Sequence, residues 1–130
     1  MIFIPAPGHS PGHTTVYFPK ENILFTSDLG VGLFGPWYGF KDCDIYRYVE
    51  SLLYLKALKP KLLLTGHGGV ISKDIEGIFD RSIEAFFWRD MGINSGLIQN
   101  DEVEFYVGFN CLGPYAKISK IIKSQLDSRK

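Results

Sequence analysis

Cysteine is scarce: Cys43 and Cys111 are the whole complement in 130 residues, and they form no Cys-x-x-Cys pair. That excludes a disulfide framework and a thiolate-built metal centre, and it fits a reduced, cytoplasmic setting. Histidine is nearly as rare, with His9, His13 and His67 alone. Neither sign of charge is in excess, since 14 basic residues balance 14 acidic ones. No broad field therefore draws the chain to nucleic acid or to an anionic membrane surface. Also lacking is any apolar run near the roughly 20 residues needed to cross a bilayer. The opening Met-Ile-Phe-Ile-Pro has no basic stretch of the kind that begins a secretory leader. With no repeat or low-complexity tract either, the sequence reads as one soluble, untargeted domain whose partners include neither nucleic acid nor membrane.

What is present suffices for a core. Hydrophobic residues make up 45% of the chain, aromatics 15% and charged residues 22%, a balance too apolar for general disorder. Residues 2–5, 14–18 and 23–26 are short, rich in β-branched and aromatic side chains, and separated by Pro/Gly or by Lys20-Glu21-Asn22. They predict three strands, the last two joined as a hairpin. From Asp44 the period changes: Ile45, Tyr48, Val49, Leu52, Leu53 and Leu55 form an apolar helical face that ends before Pro60. Residues 62–65 then read as a strand without alternation, so both of its faces call for cover. A second helix is predicted over 74–90 and a last one from Pro114, with Tyr115, Ile118, Ile121, Ile122 and Leu126 at helical spacing. Between them, Asn100 is placed to cap a short helix over 101–107, although Val103, Phe105 and Val107 alternate as in a strand.

Three loops carry side chains able to bind metal: Gly8-His9, Ser27-Asp28 and Gly66-His67. Two of them directly follow predicted strands, and ligands of open α/β sheets gather beyond the carboxyl ends of strands. Strands 23–26 and 62–65 would deliver Asp28 and His67 to one rim, where imidazole and carboxylate donors suit zinc, iron or manganese. The residues alone leave a second reading open, with each histidine a hydrogen-bonding turn residue and Asp28 a cap.

Taken together, Pro7-Gly8-His9-Ser10-Pro11-Gly12-His13, Leu24-Phe25-Thr26-Ser27-Asp28 and Thr65-Gly66-His67-Gly68 resemble the metallo-β-lactamase superfamily in order and spacing, and most closely its glyoxalase-II-like hydrolase branch. The helix carrying Tyr48, Glu50, Ser51, Leu52 and Leu55 and leading to Leu58-Lys59-Pro60 agrees, so the resemblance covers about residues 1–90. It implies that His9, Asp28 and His67 are metal ligands, with Asp28 the bridging catalytic carboxylate. His13 takes a supporting position behind the ligands. The implied cofactor is zinc, up to two ions in a complete site, with iron or manganese as substitutes. The implied reaction is hydrolysis of a thioester or small ester by metal-bound hydroxide.

The superfamily's main ligand cluster, His-x-His-x-Asp-His, does not occur in these 130 residues. The resemblance therefore extends to the carboxy-terminal half of the domain only. The expected fold class is α/β: half of an αββα sandwich, one mixed sheet with helices packed on one face, and a helical carboxy-terminal extension. Residues 1–90 would form the half domain and 91–130 the extension. A lone half has too few ligands for catalysis, which typically uses about three protein donors and a water at zinc, and it leaves a sheet face bare. The expected partner is a second copy or a separate amino-terminal half. A non-catalytic remnant or interaction subunit is the other reading.

The aromatic loop 33–40 offers Phe34, Trp37 and Tyr38 as walls of an apolar substrate pocket, or equally as core. Gly66-His67-Gly68-Gly69 offers backbone N–H groups at the start of the following helix, but lacks the lysine of a P-loop. The carboxy-terminal lysines read as a solvated helix face.

Overall fold

The computed structural model describes residues 1–32, 35, 36, 38 and 42–94, the last eight as helical path only. The described residues form five strands and two helices, in the order β1 (Ile2–Pro5), β2 (Thr14–Phe18), β3 (Ile23–Ser27), α1 (Ile45–Ala57), β4 (Leu62–Thr65), β5 (Val70–Ile71) and α2 (Ile75–Asn94). The strands form one mixed sheet in the order β1-β2-β3-β4-β5. Pairing is antiparallel except for β3 and β4, which α1 joins as a parallel crossover.

Helix α1 starts where the Asp44 side chain accepts the Arg47 N–H at 3.1 Å from an extended cap. It buries Ile45, Tyr48, Val49, Ser51, Leu52 and Leu55, and stops as Lys59 turns left-handed (φ 50°) ahead of Pro60. Asn22 ties this exit to the β2–β3 turn. Its amide donates to the Lys59 carbonyl at 2.9 Å, its own carbonyl accepts from the Lys61 N–H at 3.0 Å, and the Tyr17 hydroxyl donates to its side chain at 2.8 Å. These bonds set the start of β4 beside the start of β3. Lys56 Nζ then joins α1 to α2 through Asp80 Oδ1 at 2.6 Å.

The sheet has two unlike faces. Cross-strand partners Ile2, Tyr17, Leu24, Leu63 and Ile71 lie in one row, with Leu24 and Leu63 fully buried in the core that Leu52, Leu55 and Phe79 complete. Each such leucine contributes about 1.5–3 kcal/mol relative to exposure. The opposite row runs Phe3, Val16, Phe25, Leu64 and Val70. It is apolar throughout, yet Phe3 is 64% and Val70 67% exposed, and the three residues between them are only half-buried. The unbroken apolar run of β4 thus faces a packed core on one side and a half-covered surface on the other.

The structure adds one strand and moves one boundary. Val70 and Ile71 form β5, antiparallel to β4, a strand not predicted because two residues are too few to show a period. Helix α2 runs to Asn94, past the predicted end at residue 90. The elements read over 101–107 and from Pro114, and nearly all of the 91–130 extension, lie outside the described residues.

Candidate metal-binding rim

His9 sits in the loop between β1 and β2. The Ala6 N–H donates to the His13 carbonyl at 2.8 Å, and the Gly8 and His13 N–H groups both donate to the Ser10 carbonyl, at 3.2 and 3.3 Å. Gly8 makes the loop possible: its φ is 140°, and a Cβ there would lie 2.2 Å from the Tyr48 Cα. The His9 ring stands edge-on to Tyr48, with centroids 6.3 Å apart, and to His13 at 5.9 Å.

Asp28 and His67 leave the carboxyl ends of the parallel pair β3 and β4. A bulge between Phe25 and Ser27, with Ser27 at φ 52°, turns the chain outward just before Asp28. The Gly66 N–H donates to the Ser27 carbonyl at 3.0 Å, and a Cβ on Gly66 would come within 2.9 Å of Asp28 Oδ1. Glycine therefore lets the two loops close on each other. The Thr65 side chain holds the second loop, accepting from the Gly68 N–H and donating to the Gly69 carbonyl, both at 2.8 Å. His67 Nε2 then lies 3.1 Å from Asp28 Oδ1, on a solvent-facing rim where the two side chains are 81% and 53% exposed.

His13 is buried behind this rim. Its Nε2 accepts the Asp28 backbone N–H at 3.2 Å, which assigns the proton of the neutral ring to Nδ1. Nδ1 itself is buried and makes no hydrogen bond among the described residues. Burial lowers the His13 pKa from its ordinary 6.5, and the neighbouring His9 lowers it further; the Asp28 carboxylate and the Ala6 backbone act in the opposite sense without prevailing. The family resemblance implies a supporting role for His13, but nothing in the sequence shows which backbone group it holds.

A stability consequence follows from that depressed pKa. Between the folded value and 6.5 the unfolded chain binds more protons than the folded one, so stability is full above 6.5 and falls as pH drops through that window. Urea unfolding at pH 7.5 and 5.0 should show this fall in the wild type. In His13→Gln, whose amide oxygen can still accept the Asp28 N–H, the fall should be smaller. An unchanged pH slope in that variant would remove His13 as its source.

Tyr38 is buried (1% exposed) with its ring 4.5 Å from that of Phe86, as a core residue is. Phe34 and Trp37 lie outside the described residues. Among the described residues, no three His, Cys, Asp or Glu side chains converge at metal-binding range. The donors that do meet, one carboxylate and one imidazole, suit zinc, iron or manganese in kind. They fall short in number of the three that catalytic zinc takes.

The Metallo-beta-lactamase superfamily model matches residues 1–67, which include all three histidines and Asp28. A Beta-lactamase-like protein 2 homolog from Caenorhabditis elegans is 30% identical over 103 residues, 79% of this chain and 33% of that protein. A Lactamase-like protein nscB from Neosartorya fischeri is 35% identical over 97 residues, 74% of this chain and 28% of its own. A metallo-beta-lactamase family protein from Thermus thermophilus superposes with a TM-score of 0.59 over 97% of this chain and 44% of its own; at 18% identity it speaks for the fold. An archaeal superfamily member from Sulfolobus tokodaii superposes at 0.51 over 65% of this chain and 32% of its own, with 26% identity. The chain belongs to the metallo-beta-lactamase superfamily. The chain spans about a third of the length of these curated relatives. No helix among its described residues is long and apolar enough to cross a membrane.

Proposed function

We propose that this chain serves a metal-dependent hydrolase of the glyoxalase-II-like kind, acting on thioesters or other small esters. His9, Asp28 and His67 are its ligands, and a second copy of the chain or a separate amino-terminal half completes it. The observation that carries this reading is the 3.1 Å approach of His67 Nε2 to Asp28 Oδ1 at the ends of adjacent parallel strands. In this reading Asp28 and His67 hold the ion, zinc first and iron or manganese as substitutes, and His9, which does not meet them in this structure, would join them from the β1–β2 loop. Such an ion supplies Lewis-acid polarisation of the scissile group and activates water near neutral pH. The chain's own part is to place the donors: His13 fixes the Asp28 backbone from beneath, and Gly66 lets the His67 loop close. Two donors in contact leave an ion under-coordinated, so the isolated chain is expected to hydrolyse poorly.

Native mass spectrometry of zinc-loaded protein, prepared without chelators, tests this. The expected spectrum shows stoichiometric zinc on an assembled species, lost in His67→Ala. That two-donor count also favours a second reading, a non-catalytic remnant or interaction subunit. A zinc-free spectrum for the wild type would select it.

A further inference from the structure

We propose that Tyr48 is a positioning residue that couples the loop bearing His9 to the loop bearing Asp28; the proposal rests on reading those loops as the ligand-bearing rim. One stripe of α1 touches both. At its start, the Asp44 N–H donates to the Gly8 carbonyl at 2.9 Å. One turn on, the buried Tyr48 hydroxyl donates to the Leu29 carbonyl at 2.5 Å. A further turn on, Ser51 Oγ donates to the Pro7 carbonyl at 2.8 Å. Tyr48 and Ser51 are three residues apart, so their side chains share one face of the helix, and the Asp44 backbone N–H lies at the cap one turn before it.

Tyr48 alone among the three reaches both sides. Its backbone and Cβ fill the space beneath Gly8, its ring stands edge-on to His9, and its hydroxyl holds the residue after Asp28. The short segment at Asp28 is consequently gripped from two directions, with the Asp28 N–H held by His13 and the Leu29 carbonyl by Tyr48. With its backbone clamped on both sides of the Asp28 carbonyl, the aspartate has little freedom except at its own side chain. The Tyr48 ring also packs on Phe86 of α2 at 5.3 Å, which fixes the ring independently of the hydroxyl. Removing the oxygen should therefore free the Asp28 segment while the ring stays in place. In a metal site the groups that orient ligands matter for affinity although they never touch the ion.

The test is Tyr48→Phe in the full chain, with Tyr54→Phe as control, because Tyr54 lies on the exposed side of the same helix. Three quantities are read: the urea midpoint, amide hydrogen exchange residue by residue, and affinity for zinc ion alone, with cobalt(II) absorption reporting ligand geometry. Tyr48→Phe should speed exchange of the Asp28 and Leu29 amides about tenfold relative to the β3 and β4 amides. It should also weaken zinc binding about 10- to 100-fold and alter the cobalt spectrum, while Tyr54→Phe changes neither. A merely structural hydroxyl would instead speed exchange uniformly through the sheet and leave the spectrum unchanged, and that result overturns the proposal. Ser51→Ala, which loosens only the Pro7 side, should leave the Asp28 and Leu29 amides protected; their selective exposure there would also overturn it. Should the wild type take up no zinc, the metal-rim reading falls, and the exchange pattern still decides what Tyr48 does.

Discussion

Gly8→Ala should destabilise the chain by about 4 kcal/mol or more, in the range reserved for severe packing or backbone conflicts. Gly12→Ala, four residues away in the same motif, should change stability by less than about 1 kcal/mol. The contrast comes from what each new methyl would meet. At Gly8 it falls 2.2 Å from the Tyr48 Cα, 2.4 Å from its Cβ and 2.5 Å from its backbone nitrogen. None of these can swing aside as a side-chain tip would, so α1 itself would have to retreat. Retreat breaks the bonds from Asp44 to Gly8, from Ser51 to Pro7 and from Tyr48 to Leu29. Alanine at φ 140° adds backbone strain of its own. At Gly12 a methyl finds nothing within 4 Å, and the backbone is not left-handed. Urea midpoints of the two variants measure the difference directly; equal midpoints would mean that the helix does not rest on this loop.

The second large effect concerns the apolar sheet face. If Phe3, Val16, Phe25, Leu64 and Val70 are covered by a second copy or by an amino-terminal half, then wild-type protein at micromolar concentration should associate. Phe25→Asp should weaken that association by at least about 10³-fold, about 4 kcal/mol, because it sets an unpaired carboxylate at the centre of the row. Phe25 is only half-buried in the single chain, so the same substitution should leave its fold standing. Light scattering across a dilution series separates the outcomes. A wild type that stays monodisperse and monomeric would argue against covering by a second copy, and equal association of wild type and variant would place the contact elsewhere.

Where side-chain period is the signal, the sequence is informative. The helix that follows Asp44 falls where its apolar spacing puts it, and the strands over residues 2–5 and 14–18 fall where short β-branched and aromatic runs bounded by Pro and Gly put them. The meeting of Asp28 and His67 is legible for a related reason: two apolar runs joined by one helix imply parallel neighbours whose loops share an end of the sheet. Other features carry no local signal. Strand β5 is two residues long and exists because the Gly66–Gly69 turn folds back on β4, a tertiary fact. Tyr48 sits at a core-spaced helical position, where its ring reads as packing; only the fold shows its hydroxyl reaching Leu29. Tyr38 suits both a pocket wall and a core, and its contact with Phe86 depends on a helix more than forty residues later.

The parallel pairing of β3 and β4 bears on the order of folding events. The meander β1-β2-β3 closes through short turns, whereas Thr26 and Leu64, whose bond spans that pair, are 38 residues apart in sequence. Loop closure of that length must wait for α1 to dock, because the entropy lost in closing it is not recovered until the helix packs. The approach of His67 to Asp28 is thus expected late in folding. Contacts made after the transition state act on the rate of unfolding and leave the rate of folding nearly unchanged. Whatever engages both side chains would accordingly lengthen the lifetime of the native chain without hastening its formation.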